Sequence, residues 1–270
     1  MQRSQLISDL HAPIGVFDAG IGSYGMVQVI REHFPHQDIL YLADRASFPY
    51  GAKTKAELAR VVGKAIEALA ARGARAVVLA SNAPSVVVLD EIAAQQSVPV
   101  LGIYPPVAQA LARTHSGKVA VLGVHSLVQS PEILAYVQRE AQGRPVALVN
   151  ASPLVALVED GSFLSRPDAT QAEVSAFMVQ LMRDQPSIDV CTLSSTHLPW
   201  LRHYFETAAP GIQFLDPAQE LVPQLQAHVS VGSGSTVCLA TASDALPLEG
   251  LTQMLRLLGV ELQPHLIVID

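Results

Sequence analysis

Polar side chains that could bind an anion or move a proton occur in three clusters, each directly after a short apolar run. The clusters lie at residues 18–23, 81–85 and 194–199. The first contains Asp18 followed by glycines, which let backbone amides approach a bound anion closely. Ser, Asp, Asn and Thr at such positions also serve as ordinary helix N-caps, so one cluster alone carries little weight. Three clusters at equivalent positions indicate one shared cleft.

The apolar runs before these clusters predict buried parallel strands, because they are continuous rather than alternating and rich in β-branched residues. The predicted strands are Ile14–Phe17, Ile39–Leu42, Ala76–Leu79, Val98–Ile103, Val119–Leu122, Val146–Val149 and Val190–Leu193. Helical patterns lie between them, most clearly over Lys55–Arg72, where Gly73 follows as a stop. Alternating strands and helices imply an α/β fold, in which ligands sit beyond the carboxyl ends of the strands.

Composition and charge favour a small-molecule ligand. The chain has 270 residues, of which 50% are hydrophobic, enough to bury a substantial core. Its formal net charge is -7 and its basic residues are scattered, so we expect neither a nucleic-acid nor a membrane partner. The sequence shows no bilayer-length apolar stretch and no signal-peptide pattern, so a cytoplasmic location is expected.

Three further segments have simpler interpretations. Cys191 and Cys238 each lie in an apolar run typical of a strand, and buried thiols in a reducing compartment are more often inert core residues than a disulfide. Residues 1–12 lack periodicity, which predicts a loose N-terminal arm.

Read together, these segments resemble the glutamate racemase family from about Pro13 to the C-terminal strand. Residues 14–20 are similar to its opening strand and Asp-Ser-Gly turn, and residues 41–51 to its second strand and Pro-Tyr-Gly loop. Residues 79–83 stand where the family has Cys-Asn-Thr, and residues 193–199 where it has Gly-Cys-Thr-His-Tyr-Pro. Residues 151–161 resemble its Ala-Cys-Pro-Leu segment and the Val-Glu-Glu-Gly tail that follows.

This resemblance implies an α/β fold of two pseudo-symmetric lobes with mainly parallel sheets flanked by helices, and an active site between the lobes. The first lobe would hold residues 13–101 and 214–270, and the second, inserted lobe residues 102–213. It also implies cofactor-independent interconversion of L- and D-glutamate. In that reaction one thiolate removes the α-proton from one face and the other thiol returns a proton to the opposite face.

The resemblance further assigns roles to individual positions. The catalytic positions would be Asp18, Ser81, Glu159, Ser195 and His197. The substrate-binding positions would be Ala19, Pro49, Tyr50, Gly51, Asn82, Ala83 and Thr196. No cofactor or metal is expected. The partner would be a small acidic amino acid or another small carboxylate, with a homodimer as a possible assembly.

Serine occupies both positions at which the family keeps its catalytic cysteines. A thiol titrates at about pH 8.5 and can be tuned lower, so it serves as acid or base near neutrality, whereas an unactivated serine hydroxyl does not. Ser81 and Ser195 therefore predict little or no racemase activity. Further departures from the family pattern are Ala19, Ser23-Tyr24, Ala83, His125, Leu127 and Ser152.

Two explanations for the serines stay open at this point, natural divergence of a paralogue and deliberate Cys-to-Ser replacement. Divergence is favoured, because replacing two thiols would not explain the change at Ala19 or Ala83. Three functions follow: an impaired or altered racemase, a binding or regulatory protein that keeps only the cleft, and a hydrolase. The hydrolase, with Ser195 or Ser81 as nucleophile and His197 as base, is the least favoured, because no nucleophile elbow surrounds either serine and no orienting acid can be named.

Overall fold

The computed structural model describes residues 7–269, which form ten strands in two parallel sheets. The strands are β1 Ile14–Asp18, β2 Ile39–Asp44, β3 Ala76–Leu79, β4 Val100–Gly102, β5 Val119–Gly123, β6 Val146–Asn150, β7 Val190–Ser194, β8 Gln213–Leu215, β9 Thr236–Thr241 and β10 His265–Leu266. The first sheet has the order β10-β9-β2-β1-β3-β4, and the second has the order β6-β5-β7-β8. The α/β fold with parallel sheets is therefore confirmed.

Helices connect successive strands, as parallel pairing requires. They are α1 Tyr24–His33, α2 Lys55–Ala70, α3 Asn82–Pro84, α4 Asp90–Ile92, α5 Val107–Arg113, α6 His125–Val128, α7 Pro131–Ala141, α8 Ser152–Glu159, α9 Ser162–Ser165, α10 Pro167–Asp184, α11 Arg202–Ala208, α12 Pro217–Leu225 and α13 Leu248–Leu257. Shorter 3₁₀ segments lie at Ile21–Ser23, Arg45–Ser47, Tyr50–Ala52, Ala93–Gln95 and Leu198–Leu201, and Ser85–Leu89 is a π-helical turn.

Both faces of the central strands of the first sheet are buried, which explains why these strands appear as apolar runs in the sequence. Along β2, Ile39 and Tyr41 pack into one hydrophobic cluster, while Leu40 and Leu42 pack into another on the opposite face. The first of these clusters extends to Leu122 of β5, in the second sheet. A shared core therefore joins the two sheets.

All seven predicted strands are confirmed, with ends that agree to within two residues. The predicted helix over Lys55–Arg72 is confirmed as α2. It begins after Thr54, whose hydroxyl accepts a hydrogen bond from the backbone of Glu57 in a capping box. It ends before Gly73, which has a φ of +96°. The sequence marked β9 only as the apolar run around Cys238, and it did not locate the short strands β8 and β10.

The chain passes from one sheet to the other close to the predicted lobe limits. The second sheet runs from β5 to β8, and the first sheet takes strands from both sides of it along the chain. The predicted boundary at residue 214 falls inside β8, which pairs with β7. The lobe limits of 13–101 plus 214–270 and 102–213 remain a prediction.

The predicted loose arm, residues 1–12, lies partly outside the described residues. Within its described part, Ile7 and Leu10 pack against the hydrophobic cluster on one face of the first sheet. The backbone amide of His11 donates a 2.7 Å hydrogen bond to Asp38 Oδ2. Residues 7–12 are therefore held against the core.

Candidate functional site

A cavity of about 390 Å³ lies where the carboxyl ends of strands from both sheets meet. We call it the cleft cavity. Of the predicted site residues, all but Glu159 line it: Asp18, Ala19, Pro49, Tyr50, Gly51, Ser81, Asn82, Ala83, Ser195, Thr196 and His197. The clusters after β1, β3 and β7 thus share one cleft, as their positions after predicted strands indicated.

Ser81 and Ser195 reach this cavity from different sheets. Ser81 is separated from the end of β3, in the first sheet, by Ala80 alone. Ser195 directly follows β7, in the second sheet. Neither cysteine lines the cavity: Cys191 and Cys238 are free thiols buried within β7 and β9. Burial raises the pKa of each thiol to about 12. Both cysteines are therefore free thiols in the buried core, as predicted, and not a disulfide.

Asp18 is a buried carboxyl whose pKa lies close to neutral pH. It is 5% exposed, and burial raises its pKa to about 6. The backbone amide of Ala19, which donates a 2.7 Å hydrogen bond to Oδ1, and the hydroxyl of Thr196, which donates at 3.2 Å to Oδ2, act in the opposite direction. The nearby charge of His197 and the hydroxyl of Ser81 also lower it. A carboxyl that titrates near neutrality can take up or release a proton during a reaction.

The imidazole of His197 is oriented by a hydrogen bond to the carboxylate of Glu159. Its Nε2 lies 2.6 Å from Oε1 of Glu159, which also accepts a 2.8 Å hydrogen bond from the backbone amide of Ile21. The guanidinium of Arg45 forms a 3.0 Å ion pair with the other oxygen of Glu159. Burial raises the pKa of Glu159, but the hydrogen bond from His197 and the charges of His197 and Arg45 outweigh it and lower the pKa to about 2. Glu159 is therefore ionised at neutral pH.

The other ring nitrogen of His197 faces a cavity serine. Nδ1 lies 3.4 Å from the hydroxyl oxygen of Ser195, and both residues are 6% exposed. Ser195, His197, Glu159 and Arg45 thus form a connected chain of polar groups, which we call the relay. The orienting acid that could not be named from the sequence is Glu159.

The glycine-rich turn after β1 binds an anion of the protein itself. Its backbone amide at Ile21 is already bonded to the Glu159 carboxylate. A Cβ atom on Gly20 would lie 2.5 Å from Oε1 of Glu159 and 2.8 Å from Nε2 of His197. The glycine at this position therefore makes room for the pair of Glu159 and His197, whereas the sequence suggested room for a ligand.

Two predicted substrate-binding residues use their polar groups within the protein. The hydroxyl of Tyr50 donates a 3.0 Å hydrogen bond to Asp44, which also accepts one from Thr241 at 2.8 Å. The side-chain amide of Asn82 donates to the backbone carbonyl of Ile103 at 3.2 Å. Both side chains border the cavity. Their hydrogen bonds fix the shape of its wall.

Other residues at the site carried no signal of their own in the sequence. Arg45 is 6% exposed, and its partner Glu159 is far away along the chain. Ser126 lines the cavity close to Gly51, where a Cβ atom would lie 2.6 Å from the Ser126 hydroxyl. This contact brings the loop after β2 against the segment after β5. Nothing in the local pattern marks either residue, because each depends on contacts that fold topology creates.

The described residues contain no obvious place for a metal ion. Across residues 7–269, no group of three or more His, Cys, Asp or Glu side chains is arranged to hold one. No helix in the same range is long and apolar enough to cross a membrane.

The family model for Asp/Glu/hydantoin racemases matches residues 24–225. The chain belongs to this family. It is 30% identical over 269 residues to the glutamate racemase of Roseiflexus sp. (strain RS-1), with 96% of this chain and 97% of the relative covered. It is 33% identical over 226 residues to the glutamate racemase of Sphingopyxis alaskensis, with 82% and 83% covered. The resemblance found in the sequence is confirmed.

Solved structures of family members share the fold. Glutamate racemase isoform RacE1 from Bacillus anthracis has a TM-score of 0.82 at 23% identity, with 96% of this chain and 98% of that chain covered. The Thermus thermophilus glutamate racemase, solved in complex with β-chloro-D-alanine, has a TM-score of 0.78 at 28% identity, with 96% and 97% covered. The two-sheet architecture is therefore that of the family over nearly its full length.

Proposed function

We propose that this member of the family binds a small acidic amino acid or another small carboxylate in the cleft cavity, and that its racemase activity is impaired. The observation that carries the proposal is the pair of serines. Ser81 and Ser195 border one cavity from opposite sheets, and neither cysteine of the chain reaches it. This placement supports a two-base site that lacks its thiols.

The chemical reason lies in proton affinity. Racemisation requires one group to accept the α-proton and another to supply a proton on the opposite face, so each must exchange protons near neutral pH. A serine hydroxyl holds its proton too tightly to do so. Loss of one well-placed acid–base group typically lowers the reaction rate by about 10²–10⁴-fold. We expect a loss of about this size for each serine. Residual exchange would depend on Asp18 and His197, which border the same cavity.

The cavity suits a small amino acid in size and polarity. Its volume of about 390 Å³ falls within the usual range for small-molecule sites. The Asp18 carboxyl could pair with an ammonium group, and the hydroxyls of Ser81, Ser195 and Thr196 could hydrogen-bond a carboxylate. The β-chloro-D-alanine bound by the Thermus relative is itself a small α-amino acid. We extend this ligand class to the present chain.

The decisive experiment restores the thiols. Ser81→Cys and Ser195→Cys are made singly and together, and circular dichroism follows the conversion of each glutamate enantiomer, with the unmodified chain as the control. We expect little turnover in the unmodified chain, and recovery in the double variant alone. High turnover in the unmodified chain would refute the chemical reasoning.

Exchange and binding measurements separate the alternatives. Cα proton–deuterium exchange in heavy water reports proton abstraction from L- and D-glutamate, and calorimetry with glutamate, aspartate and simple dicarboxylates reports binding. Binding without exchange in a folded double-cysteine variant would assign the cleft a binding or regulatory role. Absence of binding to all these compounds would refute the proposed ligand class.

The proposal includes the lobe boundaries, a cytoplasmic location and a possible homodimer. Light scattering coupled to size-exclusion chromatography measures the assembly directly. A monomer at all concentrations would remove the dimer from the proposal.

A further inference from the structure

The two cavity serines have different neighbours, and the neighbour of the Ser195 hydroxyl is an imidazole. Ser195 lies 3.4 Å from Nδ1 of His197, at the long end of hydrogen-bonding distance. Catalytic hydrogen bonds are often this long without substrate and shorten in the reacting complex. Ser81 instead neighbours the carboxyl of Asp18. The two serines are therefore chemically different.

The relay sets which nitrogen of His197 carries the proton. Glu159 is ionised and can only accept hydrogen bonds, so in the neutral imidazole its 2.6 Å partner, Nε2, is the protonated nitrogen. Nδ1 is then left with its lone pair, and it is this nitrogen that faces the Ser195 hydroxyl. A neutral His197 in this tautomer is ready to accept the serine proton.

Arg45 holds the carboxylate that orients His197. Its guanidinium contacts Oε2 of Glu159 at 3.0 Å, while Oε1 is shared by the backbone of Ile21 and His197. Three donors therefore fix the Glu159 carboxylate in a partly buried position, with 14% of its side chain exposed. A carboxylate held in this way stabilises the imidazolium that forms when His197 takes up a proton.

Nucleophilic attack and racemisation differ in when the serine must lose its proton. A racemase base must be deprotonated before it meets the weakly acidic α-proton. An attacking serine loses its proton to a neighbouring base while its new bond forms, so no free alkoxide has to accumulate. The site can therefore lack racemase chemistry and still activate one serine.

We propose that Ser195 is a nucleophile for acyl transfer, acting on a small ester, thioester or amide that fits the cleft cavity. Its oxygen forms a bond to the acyl carbon as its proton passes to Nδ1 of His197. The bond from the acyl carbon to the leaving group then breaks, and the leaving group departs with that proton. Water next attacks the acyl-serine, losing a proton to His197. The ester bond breaks, Ser195 recovers its proton and a carboxylic acid is released.

The roles within the relay follow from these contacts. His197 is the general base, and Glu159 and Arg45 are positioning residues because they act through His197. This activity goes beyond the proposed binding of a small carboxylate and does not depend on any racemase turnover, so each can fail without the other.

The test uses a small alkyl fluorophosphonate on the full-length protein. Attack by Ser195 forms a phosphorus–oxygen bond and expels fluoride, and mass spectrometry of peptides locates the adduct. We expect one adduct, on Ser195, with Ser81 unmodified in the same sample. No adduct on Ser195, at a reagent concentration that fully labels an authentic serine hydrolase, would overturn the proposal.

Variants then test the base and its supports. Ser195→Ala should abolish the adduct, and His197→Gln should slow labelling by about 10²–10⁴-fold. Labelling of folded His197→Gln at the unmodified rate would overturn the proposal. Ser97→Ala, which changes an exposed serine, is the matched control and should label normally.

The positioning role of Arg45 has its own readout. Arg45→Met should slow labelling, and Arg45→Lys should recover part of the rate because it returns a positive charge beside Glu159. A purely structural effect would lower the melting temperature without this order of labelling rates. Equal labelling rates in folded Arg45→Met, Arg45→Lys and the unmodified chain would refute the positioning role. The mapped adduct on the unmodified chain remains decisive even where a variant fails to fold.

Discussion

Replacing Asp18 by Asn should stabilise the protein at neutral pH and have little effect at acid pH. Burial raises the pKa of Asp18 from 3.8 to about 6. Between those values the folded state binds a proton that the unfolded state has released, so the free energy of unfolding falls as pH rises through this window. Above about pH 6 the folded protein carries the full penalty of a buried, ionised carboxylate. Asn does not ionise, so the variant does not carry this free-energy penalty.

The expected gain follows from the size of the shift. A pKa raised by about two units corresponds to about 3 kcal/mol. Asn keeps a carbonyl oxygen for the amide of Ala19, and its amide group can donate to the hydroxyl of Thr196 in place of the bond that Asp18 accepts. We therefore expect a stabilisation of about 2–3 kcal/mol at pH 7.5, shrinking towards zero near pH 4.

Urea unfolding followed by circular dichroism, at intervals from pH 4 to pH 8, measures this difference. Asp189→Asn is the control of opposite sign. Hydrogen bonds from Thr114, His115 and Ser116 outweigh burial and lower the pKa of Asp189 to about 2, so this change should destabilise the protein at neutral pH. A gain for Asp18→Asn that is equally large at pH 4 would show that ionisation is not its cause. No gain at pH 7.5 would refute the raised pKa itself.

Two further predictions concern packing around the site. Gly22→Ala should destabilise the protein by about 1–3 kcal/mol, because the added Cβ would lie 2.7 Å from the carbonyl carbon of Thr196 and 2.8 Å from the backbone nitrogen of His197. An unchanged urea midpoint would contradict this close approach of the two turns. Cys191 and Cys238 should not react with iodoacetamide in the folded protein, because both are buried with raised pKa values. Alkylation before unfolding, measured by intact mass, would show otherwise.

The strands could be predicted because their environment is uniform. In β1 to β3 every residue is buried, so the sequence shows an apolar run on both faces that is interrupted only by the final Asp18 of β1 and the final Asp44 of β2. The short strands β8 and β10 have three and two residues. They are defined by pairing with a neighbouring strand and leave too few residues for a pattern.

Apart from the family resemblance, the site was predictable only where polar residues directly follow a predicted strand. Asp18, Ser81 and Ser195 lie just after predicted strands, and they border the cavity as their positions indicated. Arg45 could not be found in this way, because its role depends on an ion pair with Glu159 from the distant helix α8. The same limit applies to Tyr50, whose hydroxyl is bound to Asp44 in the folded protein.

The two serines of the cleft have different neighbours, and this difference affects which reactions the cleft can catalyse. Racemisation runs in both directions and is served best by two groups of similar acidity on opposite faces of the substrate. Here Ser81 neighbours a carboxyl whose pKa is about 6, while Ser195 neighbours an imidazole that Glu159 orients. Ser81 and Ser195 thus lie in two different local environments. A site with one activated hydroxyl suits a reaction in which one side of the substrate is attacked, and this is the chemistry that the relay behind Ser195 supports.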